Sequence, residues 1–229
     1  MPKNTNSTST ALVPAGQTKF YSIADTTIVA TQVFRVPARH PRGDGPWKNE
    51  AEKIAWTDAA TGFACTILRQ VDGSLGGYVG VGADHPLFGF KQDAVPSGLD
   101  LTPHGGLDYA DTCRKGPEAI TVCHPSPSAL RKQRPSKADA GAGKDHEPLW
   151  WFGFECNKNH DYVPGKNSFH KDLDMENGKT YRDEAYVYGQ TTILAQQLAA
   201  IANPERDNGV PIDLSGSSMP VGLDPERRK

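Results

Sequence analysis

FACTILRQVDGSLGGYVGVG, residues 63–82, is the stretch that decides the fold. Two runs rich in apolar and β-branched residues flank Asp72-Gly73, a dipeptide that readily takes the backbone of a tight β-turn. Strands joined by so short a connection must run antiparallel. The stretch therefore predicts an antiparallel hairpin, and an isolated hairpin needs neighbours to cover its apolar face.

Upstream, KFYSIADTTIVATQVFRV (19–36) is rich in β-branched and aromatic residues and predicts one or two further strands. PARHPRGDGP (37–46) reads as a loop from its Pro and Gly content. WKNEAEKIAWTDAATG (47–62) places Trp47, Ala51, Ile54 and Ala55 near helical spacing, which predicts a short helix stopped by Gly62. Downstream, LDLTPHGGLDYADTC (99–113) sets His104 and two glycines between short extended pieces. LWWFGFEC (149–156) returns to a strand pattern. The clearest helix is TYRDEAYVYGQTTILAQQLAAIA (180–202). There Thr180 and Asp183 fit an N-terminal capping signature, Tyr186, Ile193, Leu194, Leu198 and Ile201 form one apolar face, and Asn203-Pro204 ends it.

These elements predict an α+β chain: a single domain over 19–202, with a mainly antiparallel sheet and the C-terminal helix packed on one face. Residues 1–18 and 203–229 read as disordered, flexible tails. The span 114–148 reads as a long polar insertion, because its 124–148 part alone carries four prolines and five Lys/Arg.

Composition narrows the function classes. A net charge of -2 excludes a general nucleic-acid coat, which needs a basic excess to neutralise phosphates. No run of eighteen apolar residues exists, so no membrane-spanning helix is expected. MPKNTNSTSTALVPAGQ has no apolar core of the signal-peptide kind, and the expectation is a cytoplasmic chain. Cys65, Cys113, Cys123 and Cys156 form no CxxC pair. Free buried thiols are the expectation for them, with two disulfides as the alternative.

Several residues carry candidate chemistry. In HGGL (104–107) two glycines follow His104, so Gly105 and Gly106 either take positive φ or let the backbone approach a ligand. An oxyanion role for such a turn needs a nucleophile elbow of the GxSxG kind, and the chain has none. Glu155, Cys156, His160 and Asp161 cluster after the WW strand. With His104 and Cys113 they supply zinc-type donors, although their spacing is not that of a structural zinc site. Cys113 or Cys156 with His104 is a candidate nucleophile pair. Trp150 and Trp151 point to opposite faces if the segment is a strand, which leaves one, Trp151, as a candidate stacking platform. Arg182, at the start of the C-terminal helix, offers a forked donor for an anion.

WTDAATG (56–62), CxIxR (65–69), GYVGV (77–81), HPLFG (85–89), HGGLDYADTC (104–113), WWFGFEC (150–156) and YRDEAYV (181–187) occur in this order. The ordered set resembles a family of uncharacterised proteins carried by phages, by prophages and by the bacteria that host them, over about residues 47–200. The resemblance implies no particular activity. In the family an Asp stands where this chain has Glu155, a Cys where it has Gly76, and a His near Lys158, so a role for that Cys or that His does not carry over. His104, Cys113, Cys156, an acidic 155 and Asp161 match.

Three functional expectations follow. One is a phage-type accessory protein that binds a small anionic or nucleotide-like ligand in a pocket near His104, lined by Gly105, Gly106, Trp151 and Arg182. Another is a hydrolase using His104 as general base with Glu155 or Asp161, with or without zinc. The last is a non-catalytic module that binds a host or phage protein through its tails and insertion. For a phage-encoded chain the cytoplasm in question is the host's.

Overall fold

A computed structural model of the chain describes residues 19–114, 116–123, 149–165 and 178–203. The tails, and the insertion from 124 to 148, lie outside the described residues. Seven strands form one sheet in the order β1-β2-β3-β4-β5-β7-β6. They are β1 (Lys19–Ile23), β2 (Thr26–Phe34), β3 (Lys53–Thr57), β4 (Ala64–Arg69), β5 (Leu75–Val81), β6 (Tyr109–Thr112) and β7 (Trp150–Glu155). Every pairing is antiparallel. The first five strands form a meander, and β7 inserts between β5 and the edge strand β6. Among the described residues one long helix, α1 (Glu184–Ala202), packs on one face against β4 and β5.

The hairpin at 63–82 forms as its sequence implies. β4 and β5 pair from Ala64↔Gly80 to Arg69↔Leu75. Gly73 sits in the turn with φ +85°, and the Asp72 carboxylate accepts from the Ser74 amide and hydroxyl at 3.1 and 2.6 Å. Period-two alternation then sorts the side chains. Cys65, Ile67, Leu75, Val79, Val81, Phe152 and Phe154 join the core beneath α1. Leu68, Tyr78 and Trp151 face outward and pack with Val122. One close approach makes a glycine necessary. A Cβ at Gly77 would stand 2.1 Å from the Thr191 hydroxyl, so α1 lies against β5 only because that position is bare.

The structure corrects the helix expected over 47–62. Only Pro46–Asn49 forms a 3-10 turn, and Lys53–Thr57 is a central strand paired on both sides. Ile54 and Ala55, two of the four apolar residues at helical spacing, fit a strand buried on both faces equally well, and the two neighbouring strands decide between them. Two details of α1 also differ. Asp183 is the N-cap, accepting from the Tyr186 amide at 2.9 Å, while Thr180 forms an isolated bridge with Asp161. The buried face runs through Val187, Thr191, Leu194, Ala195, Leu198 and Ile201, and Ile193 is exposed.

Part of the span expected to be a polar insertion, residues 116–123, is described and lies against the sheet. Val122 is buried against the sheet, and Cys113 is joined to Cys123 by a disulfide. The expectation of free thiols thus holds for Cys65 and Cys156 and fails for the other two. No described helix is long and apolar enough to cross a membrane.

Candidate functional site

Three segments meet beside the first turns of α1: the 3-10 turn Pro103–Gly105, the turn after β7, and the approach to the helix at 180–183. His104 is held at φ +43°, ψ +41°, a left-handed conformation that a residue with a side chain adopts at a cost. Gly105 and Gly106 follow at φ +85° and +119°, which only glycine takes readily, so the HGG triplet serves a backbone reversal. The reversal swings the imidazole inward. The Gln190 side chain on α1 fixes it from behind, its Oε1 accepting from the His104 amide at 2.7 Å.

The imidazole is committed at both nitrogens. Nε2 lies 2.7 Å from Asp161 Oδ2, and Nδ1 lies 2.8 Å from the Tyr186 hydroxyl. The side chains of His104 and Asp161 are only 1% and 0% exposed. Asp161 Oδ1 accepts from Arg182 Nε at 2.9 Å, and Oδ2 also accepts from the Lys158 amide at 2.9 Å. Burial alone would raise the Asp161 pKa. The hydrogen bonds from His104, Arg182 and the Lys158 amide outweigh that and hold the carboxyl below its ordinary range. With Asp161 ionised, a neutral imidazole carries its proton on Nε2, which leaves Nδ1 to accept from the phenol.

The outer layer of the site is different. Arg182 lies over the Tyr186 ring, its guanidinium carbon 4.6 Å from the centroid. Its Nε is used by Asp161, and among the described residues its two Nη groups have no hydrogen-bond partner. The Asp161 hydrogen bond is the main reason its pKa stands higher still than usual. Tyr186 is only half-buried, yet that burial raises its phenol above the ordinary value. His160 is exposed, with its ring 5.4 Å from that of His104.

His104, His160 and Asp161 bring donor atoms within 4.8 Å of one another. The donor set fits an ion pair better than a zinc ion. Asp161 is already shared between an imidazole and a guanidinium, and Arg182 would sit against any divalent cation placed there. Of the zinc-type donors considered in the sequence, Cys113 is consumed by its disulfide.

The other sequence candidates part company. Glu155 lies on the outer face of β7, paired with Gly76, and its carboxylate accepts from the Tyr78 hydroxyl at 3.3 Å and from Asn157 at 3.0 Å. One residue of alternation separates it from Phe154, which packs against His104, so Glu155 is not a partner of that histidine. Trp151 does point away from Trp150, but it is 1% exposed under Val122 and is no stacking platform. Cys156 lies close to Asp161, and burial first, then that carboxylate, push its thiol well above the ordinary range. The raised thiol of Cys156 and the disulfide at Cys113 both argue against a cysteine nucleophile.

Sequence reading missed Tyr186 and Gln190, whose only signal is their one-turn spacing on the helix beside Arg182. It also missed a second buried network. The Arg69 guanidinium donates to Glu50 at 2.7 Å and to the Tyr181 hydroxyl at 2.9 Å, and Glu50 accepts the Glu184 amide at 3.0 Å. Glu184 in turn accepts from the Ala51 amide and the Tyr21 hydroxyl.

Comparisons extend the picture no further. No family model, curated protein or solved structure matches this chain. Function therefore has to be argued from the site itself.

Proposed function

We propose that the protein is a hydrolase-type catalyst for a small substrate carrying an anionic group, with the Tyr186 hydroxyl as the group that meets the substrate. One observation carries this reading: the unbroken hydrogen-bonded line from a buried carboxylate, Asp161, through His104 to a half-exposed phenol. Carboxylate, imidazole and hydroxyl in that order are the parts of an activated nucleophile. Burial makes the phenol keep its proton, so it needs a base, and His104 Nδ1 lies within reach. As Tyr186 Oη bonds to the electrophilic centre of the substrate, its proton passes to Nδ1 and Asp161 stabilises the imidazolium. That proton goes to the departing group as its bond to the centre breaks, and water then hydrolyses the Tyr186 ester to restore the phenol. The Arg182 fork lies over the same ring, where it would hold the anionic part of the substrate. His104 is thus a base enclosed by protein that acts on Tyr186 and does not itself meet the substrate. The motifs that resemble the phage-borne family contribute His104, Arg182 and Tyr186, which supports placing the site at the centre of that family's role.

Para-fluorosulfonylbenzoate tests the reading, because it joins a phenol-reactive centre to a carboxylate. Attack forms a bond from Tyr186 Oη to sulfur, fluoride leaves, and the phenolic proton goes to His104. Peptide mass spectrometry is expected to find Tyr186 modified ahead of every other tyrosine. Labelling should be slowed in His104→Ala and Arg182→Ala and absent in Tyr186→Phe. If Tyr186 reacts no faster than the other tyrosines, the catalytic reading fails. Saturable binding without reaction would instead favour a protein that sequesters its ligand unchanged, for which the enclosure of His104 is the supporting observation.

A further inference from the structure

On the opposite face of the sheet a lysine is sealed beneath the disulfide loop. Lys53 stands in β3 opposite Phe34 of β2 and Leu68 of β4, and none of its surface is exposed. Its Nζ donates to the carbonyls of Glu118 and Cys123 at 2.6 and 2.5 Å and lies 5.7 Å from the centre of the Phe34 ring. Both carbonyls belong to the segment closed by the Cys113–Cys123 bond. The remaining ties between that segment and the sheet are few. Gln32 donates to Glu118 at 3.1 Å, Thr66 donates to the Val122 carbonyl at 3.4 Å, and Val122 fills the outer apolar cluster.

The cover is incompletely satisfied. Gln32 Oε1 and Thr121 Oγ1 are buried with no hydrogen-bond partner among the described residues, and each such atom favours opening to water. The two cysteines, by contrast, are only half-buried, so a small thiol can reach the bond. A loop that owes its closure to a cross-link gains many conformations when the link is cut, whereas the sheet beneath keeps its hydrogen bonds.

We propose that Lys53 is a concealed modification site, an amine that becomes accessible to acyl-type electrophiles when the Cys113–Cys123 disulfide is reduced. A dithiol reductant converts the disulfide to two thiols and is itself oxidised to a disulfide. The segment carrying the Glu118 and Cys123 carbonyls then lifts away. Nζ attacks the acyl carbon, the leaving group departs, and the amine proton is released to solvent. Burial beneath the segment pushes the Lys53 amine down to about 7, and opening returns it toward its ordinary value, so access rather than a lowered pKa governs its reaction.

The test uses the full chain and the acetyl ester of N-hydroxysuccinimide as the electrophile. One sample is oxidised; another is reduced with dithiothreitol, alkylated with iodoacetamide and desalted. Acetylation of Lys53 is read by peptide mass spectrometry against Lys48, whose side chain is 70% exposed. The reduced sample should show at least a roughly tenfold rise in the Lys53/Lys48 ratio, as expected when a local segment opens. The double variant Cys113→Ser, Cys123→Ser should show the same rise without any alkylation. Cys65 and Cys156, both buried, report on wider unfolding. A rise while both resist iodoacetamide supports the gate. An unchanged ratio, or a rise only when Cys65 and Cys156 also become alkylated, overturns it.

Discussion

Two buried charge networks flank the start of α1, and they differ in where they end. In the Glu50–Arg69–Glu184 network every charged member is enclosed, with Arg69 at 0% exposure, and the outermost contacts are Tyr21, Tyr181 and, through buried Glu52, His40. In the Asp161–His104 network the inner pair is just as enclosed, but the chain of hydrogen bonds continues to Tyr186 and Arg182 at the surface. A closed network can only hold parts together. An open one presents a polarised group to whatever binds. The contrast separates a structural ion pair from a candidate reactive site within one turn of the same helix.

The sharpest way to break this contrast is Arg69→Met. Removing the guanidinium leaves Glu50 and Glu52 buried without their cation, and the expected loss is about 3–5 kcal/mol by chemical denaturation. A loss below about 1 kcal/mol would mean that this network is not the closed structural element described. Asp161→Asn comes next. It withdraws the charge shared by His104 and Arg182, at an expected cost of roughly 2–3 kcal/mol, and it should slow labelling of Tyr186 as well.

A pH series yields a smaller effect spread over several units. Burial, helped by the nearby Glu50 carboxylate and opposed by the Ala51 amide, Tyr21 and Arg69, moves Glu184 from 4.5 up to about 7. The stability it contributes is complete below pH 4.5 and is lost as pH rises through 7. Lys53 has the opposite sign: its folded pKa is depressed from 10.5 to about 7, so stability rises as pH climbs between those values. Thermal melting should therefore show a shallow minimum near pH 7, and Glu184→Gln should remove its acid-side slope.

Tyr186→Phe sharpens the contrast from the other side. It keeps the ring beneath Arg182 and deletes only the hydroxyl, so stability should change by no more than about 1 kcal/mol while the reaction with the sulfonyl fluoride disappears. Glu155→Gln is expected to do least, within about 0.5 kcal/mol and with Tyr186 labelling intact, because its carboxylate faces the other side of the sheet. A clear effect of Glu155→Gln on labelling would reopen its pairing with His104.

Much of the architecture was legible in local pattern. Asp72-Gly73 between two apolar runs specified the β4–β5 hairpin, and the run after Asp183 specified α1. Local pattern failed at Lys53–Thr57, where a strand buried on both faces has no alternation to reveal it. Of the candidate site, His104, Asp161 and Arg182 stood out by residue type, and Glu155 and Trp151 stood out falsely. The error has one cause: β7 turns successive residues to opposite faces, and sequence spacing does not say which face the helix will cover.

What the sequence by itself determined is the set of local conformations: the tight turn, the strands, the capped helix and the glycine-permitted reversal after His104. These depend on φ/ψ preferences and on hydrogen bonds within a few residues. Only the tertiary structure decided the partners. Asp161 lies 57 residues from His104 and Tyr186 lies 82 residues from it, while Glu50 and Glu184 are 134 apart. Contacts at such separations are set by how the sheet and helix pack, because no short-range preference reaches across them.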